Sequence, residues 1–408
     1  MRVMVLYMAV KKLLSIVIPT HNRSCYAVAC VQSLLEIDSR QFQVVVHDTS
    51  DDDCGLAAWS ATQDDSRLCY VHWNGRLSMT ENHERAVALA EGEYVCVIGD
   101  DDSVSSRIIE VAEYAKANEI DLLTPVIKAI YSWPDFKTSF LGSAHAGKLY
   151  LGKVTGKIAK KSCQTSIQDA LNNACQGTEG LPKFYHGLVK RSCLEKLHSD
   201  TGAIFYGASP DISASLGLAL TNEYYYVIDF PFTIPGASSG SNTGRSAVNK
   251  HKGDIKSDPH MIPFRNLSWP KELPYFFSVE TVWGHAAWET LKQRSPDSLS
   301  GFNLNRFYAV CKVRHSDYKV AIGKAASGLV ASNDKRYSSS ASVLAQVKFV
   351  IELTITKLKR ILHPTASNGM DVYGPFENVR YARQALDAKL DIEASAKGWC
   401  FNEKGSNE

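Results

Sequence analysis

Over the first third of the chain, short runs of consecutive apolar residues alternate with stretches whose apolar positions recur at helical spacing. Leu14 to Ile18 is such a run, rich in β-branched residues and stopped by Pro19. Runs of this kind suit strands covered on both faces, as in the middle of a parallel sheet. A polar segment, Pro19-Thr20-His21-Asn22-Arg23, follows, and a helix is predicted from about Tyr26, with Ala27, Val31, Leu34 and Leu35 on one face. Gln43 to Val46 predicts a second strand, Leu68 to Val71 a third, Val95 to Ile98 a fourth, and Leu122-Leu123 a further short one. Between them Glu81 to Ala90 reads as a helix closed by Gly92, and Ile108, Ile109, Val111, Ala112 and Ala115 mark another. This alternation predicts an α/β fold, a doubly wound, mostly parallel sheet whose ligand sits at the carboxyl ends of the strands.

Those ends are the polar parts of the pattern. The first carries Thr20, Asn22 and Arg23, the second Asp48 and Asp51 to Asp53, and the fourth Gly99-Asp100-Asp101-Asp102-Ser103. Three adjacent carboxylates repel one another when held in a partly desolvated place, so a positive group is expected beside them. Hard divalent cations such as Mg²⁺ and Mn²⁺ prefer oxygen ligands. The plainer reading of the acidic turn alone is a solvated turn in which Asp102 or Ser103 caps the next helix. Three polar strand ends in phase favour a site.

Composition narrows the picture without changing it. The chain has 408 residues, 45% hydrophobic and 22% charged, which suits a soluble globular protein of two or three domains. A net charge of +2 offers no field for nucleic acid. The ten cysteines are scattered without CxxC or metal-like spacing, so reduced thiols and a cytoplasmic setting are expected. No apolar run approaches the length of a membrane span, and Met1 to Val10 is read as an extension, not a signal peptide.

At this point the residues resemble a known family. Ser15-Ile16-Val17-Ile18-Pro19-Thr20-His21-Asn22-Arg23 looks like the opening of the family 2 glycosyltransferases, which adopt the nucleotide-sugar-binding GT-A fold. Val45 to Asp51 resembles that family's second strand, where an aspartate meets the nucleobase, although His47 stands where many members have an acidic residue. Asn82 to Val95 is similar to the approach to the metal-binding Asp-x-Asp, and Gly99-Asp100-Asp101-Asp102 looks like a variant of that motif. The resemblance is specific over about residues 14–125 and weakens to about 235. It implies a nucleoside-diphosphate sugar donor, a UDP-sugar by family habit, and a divalent metal, Mn²⁺ or Mg²⁺, held by Asp100 and Asp102. Pro19, Thr20, Asn22, Arg23, Asp48, Asp51, Arg76, Asp100 and Asp101 would bind the donor, with the two arginines facing phosphate. For Arg76 alone a solvated loop arginine is the plainer reading.

Residues 142–183, rich in Gly, Ser, Thr and Lys, read as a long loop. Within them Gly142 to Lys148 matches most of a P-loop but lacks the final Ser/Thr and a preceding strand, so a P-loop is rejected. Lys183 to Arg191 predicts a strand leading into a helix over Cys193 to His198, and Pro210-Asp211 opens an apolar helix. Asp211 can simply favour the helix dipole. In the resembled family an acidic residue at the start of such a helix is the catalytic base, which implies that role for Asp211. Tyr224 to Phe230 predicts a strand and Pro231 to Gly244 a flexible boundary, so the division expected is a catalytic domain over 1–240 and a mainly helical region over 241–408.

Helices are predicted there over Tyr275 to Lys292, Asn305 to Val313 and Ser340 to Leu362. In the last, Val347, Val350, Ile351, Leu358, Ile361 and Leu362 share a face near Lys348, Lys357, Lys359 and Arg360. Such a helix either packs on its own domain or lies on an anionic membrane. His251 and His260 lack ligand spacing, and the Asn-x-Ser sites at Asn22 and Asn266 carry no weight in a cytoplasmic protein. The function expected is an inverting glycosyltransferase acting on a saccharide or lipid-linked acceptor in bacterial surface polysaccharide or glycoconjugate synthesis. It would be cytoplasmic, with peripheral contact at the inner face of the membrane as a further option. Its rivals are a sugar nucleotidyltransferase, disfavoured by the lack of glycines in Pro19 to Arg23, and an inactive GT-A-like scaffold protein, disfavoured by the intact Asp100, Asp102 and Asp211.

Overall fold

The structure, a computed structural model, describes residues 12–51, 55–264, 267–362, 367 and 369–397. Met1 to Val10, Asp52, Asp53 and the site at Asn266 lie outside them. Strands β1 (Leu14–Thr20), β2 (Phe42–Asp48), β3 (Leu68–His72) and β4 (Tyr94–Val97) pair in parallel in the order β3-β2-β1-β4. Successive side chains on a strand point to opposite faces. Ile16, Ile18, Val44, Val46, Cys96 and Ile98 therefore enter one core, while Val17, Val45, Val95 and Val97 enter the other. Burying each such side chain contributes roughly 1.5–3 kcal/mol. Because both faces are covered, the strands read as unbroken apolar runs.

The covers are helices at the expected places. Helix α1 (Ser24–Leu35) packs on the first face, the short α2 (Leu56–Ala61) precedes β3, α3 (Met79–Ala88) packs on the second face, and α4 (Ile108–Ala117) on the first. Ser78 and Glu81 form a capping box at the start of α3, so that helix begins before the apolar stripe does. The sheet continues beyond β4 with Leu188–Lys190, Leu122–Pro125, Tyr224–Ile228 and Ile158–Ser162. Leu188–Lys190 runs antiparallel to both neighbours, and Ile158–Ser162 runs antiparallel at the edge.

Two stretches expected to be loops are built into the fold. Within 142–183 lie the strands Leu149–Leu151 and Ile158–Ser162 and helix α5 (Cys163–Asn172). The edge strand hides behind lysines, as edge strands commonly do, and α5 buries only Cys163, Ser166, Ala170 and Leu171. Residues 231–244 are the second case: Thr233–Ile234 pairs with Ser103–Val104, and Gly236–Ala237 pairs with Ala129–Ser132. Ser103 is thus a strand residue, not a helix cap.

Helices α6 (Arg191–Thr201) and α7 (Pro210–Thr221) complete the second face. After the short α8 (Asn242–Ala247) come α9 (Val279–Arg294), α10 (Leu304–Arg314), α11 (Lys319–Ala331), α12 (Ser339–Leu362) and α13 (Val379–Lys397). The hydrophobic clusters run across residue 240. Ala286, Trp288 and Leu291 of α9 share a core with Ile212 and Leu216 of α7, and Val379, Ala382 and Leu386 of α13 share one with Val31 and Leu34 of α1. Beyond residue 240 the described chain is mainly helical, with short strands at Lys252–Gly253, Phe277–Ser278 and Asp371–Tyr373.

Candidate active site

The register of β1 on β2 sets Pro19 beside His47 and Thr20 beside Asp48, so two polar strand ends finish level. The loops beyond them are zipped together. Thr49 N–H donates to Thr20 O at 3.1 Å, Asn22 N–H to Ser50 Oγ at 2.8 Å, and Asp51 N–H to Asn22 Oδ1 at 2.9 Å. Asn22 has a φ of 55°, a left-handed conformation that asparagine tolerates. Asp48 is buried, with Oδ1 accepting from Ser50 N–H and Oγ–H and Oδ2 from the Tyr70 hydroxyl. Three of its about four acceptor sites are thus engaged, so Asp48 first of all shapes the pocket. His47 is bound to Asn82 at 2.6 Å and Asp51 is exposed beside Asn22.

The positive group expected at the acidic turn is Arg23. Its guanidinium lies 3.1 Å from Asp100 Oδ1 and 2.9 Å from Asp101 Oδ2, and all three aspartates are buried. Burial works against that charge, but Asp100 and Asp101 hold the guanidinium firmly protonated. Burial in turn pushes Asp100 up to about 6, against the pull of Arg23. The Thr20 hydroxyl donates to Asp100 Oδ2 at 2.6 Å, so Thr20 serves the carboxylate first. The Nε of Arg23 is buried without a hydrogen-bond partner among the described residues.

A third layer closes over the turn from the segment 236–238, more than 130 residues away. Gly236 N–H donates to Asp102 Oδ1 at 2.6 Å, and Gly99 N–H donates to its Oδ2 at 2.6 Å. Ser238 donates to Asp101 Oδ2 through N–H and Oγ–H, and Trp133 Nε1–H donates to Asp101 O. A Cβ on Gly236 would stand 1.9 Å from Asp101 O, so only glycine allows this approach. None of Gly236, Ser238 or Trp133 was expected from sequence, because a Gly/Ser-rich segment looks the same whether it clamps or hangs free.

Asp211, in the first turn of α7, accepts from Ser209 Oγ–H and from Ile212 N–H at 2.8 Å. Burial raises its carboxyl above the ordinary range. Near both Asp211 and the acidic turn lies Tyr185, whose phenol is pushed up first by burial and then by the charges of Asp211 and of Asp100 to Asp102. Its hydroxyl pairs with His83 Nε2, which burial keeps neutral. The next residue, His186, has a φ of 63° and places Nε2 3.4 Å from Asp102 Oδ2. Burial lowers His186 to about 3, so this contact is no ion pair near neutrality. Tyr185, His186 and His83 were not singled out in the sequence. Arg76 is exposed and donates to Pro259 O at 3.1 Å.

Among the described residues no three His, Cys, Asp or Glu side chains group so as to hold a metal by themselves. Mg²⁺ is commonly held by one or two carboxylates completed by substrate phosphates. Asp100, Asp101 and Asp102 supply such oxygens, with Arg23 as the charged partner of the first two. Asp102 accepts Gly236 N–H on Oδ1 and Gly99 N–H on Oδ2, which engages two of its about four acceptor sites.

Residues 15–166 match the family model described as Glycosyl transferase family 2. Over 111 residues, 27% of this chain and 36% of the relative, the sequence is 27% identical to glycosyltransferase GlyG of Streptococcus pneumoniae. It is 31% identical over 105 residues, 24% of this chain and 36% of the relative, to the putative colanic acid biosynthesis glycosyl transferase WcaA of Escherichia coli. A third relative, the GalNAc(5)-diNAcBac-PP-undecaprenol beta-1,3-glucosyltransferase of Campylobacter jejuni, is 29% identical over 108 residues, 26% of this chain and 35% of its own. The matched stretch thus spans about a third of the length of these relatives. Among solved structures, S. aureus TarS 1–349 in complex with UDP-GlcNAc aligns with a TM-score of 0.42 and 12% identity over 82% of this chain and 88% of that one, a likeness too slight to inform donor or acceptor. Over residues 15–166, where the polar ends of β1, β2 and β4 meet, this chain is similar to glycosyl transferase family 2.

Proposed function

We propose that the chain is an inverting glycosyltransferase that moves a sugar from a nucleoside-diphosphate sugar, a UDP-sugar, to a hydroxyl of a saccharide or lipid-linked acceptor. The product class is bacterial surface polysaccharide or glycoconjugate, the class to which the colanic acid and undecaprenol-linked relatives belong by name. A cytoplasmic setting with peripheral membrane contact goes with such substrates. The observation that carries the reading is Arg23 paired with Asp100 and Asp101 at the meeting point of three strand ends, inside the family-matched residues.

In this reading the base and ribose lie against the zipped loops of Thr20 to Asn22 and Asp48 to Asp51. Arg23 turns its free Nε–H and part of its fork toward the diphosphate, which suits the planar, bidentate geometry of guanidinium. Asp100 and Asp102 would hold Mn²⁺ or Mg²⁺ when one is bound, and that ion would supply charge to offset the diphosphate. Asp211 takes the proton of the acceptor hydroxyl as the oxygen attacks the anomeric carbon from the side opposite the leaving diphosphate. Its raised carboxyl is a better base than an ordinary aspartate, at the cost of being protonated over a wider acidic range.

Asp211→Asn tests the assignment. The amide is nearly isosteric but cannot accept that proton. Loss of a general base typically costs about 10²–10⁴ in rate, so donor turnover should collapse while UDP binding, followed by calorimetry, stays near wild type. The acidic limb of kcat/KM should lie above the ordinary carboxylate range and rise with pH, because only ionised Asp211 is competent. Near-normal turnover in Asp211→Asn would move the base to another residue. Failure of the wild-type chain to bind or turn over any sugar nucleotide would overturn the function itself.

A further inference from the structure

Helix α12 has one face covered and one bare. On the covered side Ser342 and Phe349 are buried, Lys312 donates to Ser342 Oγ at 3.2 Å, and Arg306 pairs with Glu352 at 2.6 Å. Arg306 and Arg314 of α10 also lie over the Phe349 ring. This fastens the helix to α10. On the other side Leu344, Val347, Val350, Ile351, Ile355 and Leu358 are exposed, Leu344 by 72% and Leu358 by 57%. At 3.6 residues per turn these six fall in one arc, which runs roughly 20 Å along the helix. Ile361, Leu362 and Arg360, expected on or near this face, lie outside the described side chains.

Isolated exposed apolar residues need no explanation, but a contiguous stripe does. The charges beside it say what covers it. By the same helical geometry Lys348 and Lys359 border one margin of the arc and Lys357 the other, and all three are exposed. Helix α12 holds four basic residues, Lys348, Lys357, Lys359 and Arg360, against one acidic residue, Glu352, so its formal charge of +3 exceeds the +2 of the whole chain. A second copy of this helix would bring like charges together along both margins, which disfavours self-pairing. An anionic bilayer surface satisfies both features at once, since the apolar arc enters the acyl boundary while the lysines extend to the headgroups. No helix among the described residues is long and apolar enough to cross a membrane, which leaves α12 lying in the surface plane.

We infer that the bare face of α12 is a membrane-docking surface that seats the protein on an anionic lipid bilayer. The inference stands on α12 and its charges and does not depend on the reaction at the acidic turn. The test is sedimentation of the full chain with vesicles of phosphatidylglycerol and phosphatidylcholine, and with phosphatidylcholine alone, over a range of salt. Binding should require phosphatidylglycerol and weaken as salt rises, because the Debye length shrinks. Each lysine near an anionic surface is worth about fivefold in partitioning, so Lys348→Glu/Lys357→Glu/Lys359→Glu should lower it at least about 100-fold. Val347→Gln/Ile351→Gln/Leu358→Gln changes only exposed positions, so the melting temperature should hold while vesicle binding is lost. Binding unchanged in either triple variant, or absent in the wild type at low salt, overturns the inference. So does a wild-type dimer that becomes monomeric in the Gln variant without any vesicle binding, since a second copy would then cover the stripe.

Discussion

Arg23→Ala removes the only cation found within ion-pair distance of Asp100 and Asp101 among the described residues. The guanidinium side chain is 21% exposed and both carboxylates are nearly inaccessible, so solvent replaces little of what is lost. Breaking a buried pair by removing one partner costs about 3–5 kcal/mol. The partial exposure of Arg23 favours the lower end, about 3 kcal/mol, and loss of its position over the Tyr26 ring adds about 0.5 kcal/mol. At roughly 2 °C per kcal/mol for a large domain, the melting temperature should fall by about 7 °C.

The loss should also depend on pH in a defined direction. Asp100 sits above its ordinary value of 3.8 in the folded protein, at about 6, because burial outweighs Arg23. A carboxyl raised on folding weighs against the folded state increasingly as pH climbs from 3.8 toward the folded value. Without Arg23 that value rises further, so variant and wild type should converge in acid and diverge above about pH 6. Urea unfolding at about pH 5 and about pH 8 measures both quantities. Arg23→Lys, which keeps the charge but not the fork, should recover part of the loss. A cost under about 1 kcal/mol near pH 8, or one equal at the two pH values, would refute the idea that Arg23 neutralises the turn.

Gly236→Ala should shift the clamp, because its Cβ would meet backbone atoms Asp101 O at 1.9 Å and Asp101 C at 2.6 Å. Overpacking and a weakened amide bond to Asp102 together predict about 2–4 kcal/mol of destabilisation and weaker nucleotide binding; an unchanged denaturation midpoint would mean that the segment yields freely. Adding UDP with Mn²⁺ or Mg²⁺ should raise the melting temperature more than UDP with chelator, as linkage requires of a cation shared by carboxylates and phosphate. Equal shifts in the two conditions would remove the carboxylates of the acidic turn as ligands.

The strands and the edge where the site lies were legible in the sequence because their causes are local. Leu14 to Ile18, Gln43 to Val46 and Val95 to Ile98 are apolar at every or nearly every position since both faces are covered, and each run stops at the polar residues that reach the sheet edge. Helix α3 carries its own capping box, and Pro210 marks the start of α7. Amphipathicity likewise announced α12. None of this required knowing what lies far away in the chain.

Partners from distant segments decided the rest. That Asp102 is held by the Gly236 amide follows from the pairing of Thr233–Ile234 with Ser103–Val104, which brings together residues 134 apart in the chain. Asp101 meets Ser238 for the same reason, and Tyr185 comes near both Asp211 and the acidic turn through its bridge to Val97 at the end of β4. Residues 142–183 and 231–244 look like loops because glycine, serine and lysine carry little periodicity, yet pairing partners make short strands of parts of both. On α12 it is α10 that takes one face and leaves the other bare. A backbone amide has no sequence signature for the carboxylate it will meet, and an amphipathic helix does not say which of its faces a neighbour will reach first. Those choices belong to long-range packing, where the free energy of many weak contacts selects one arrangement of the whole chain.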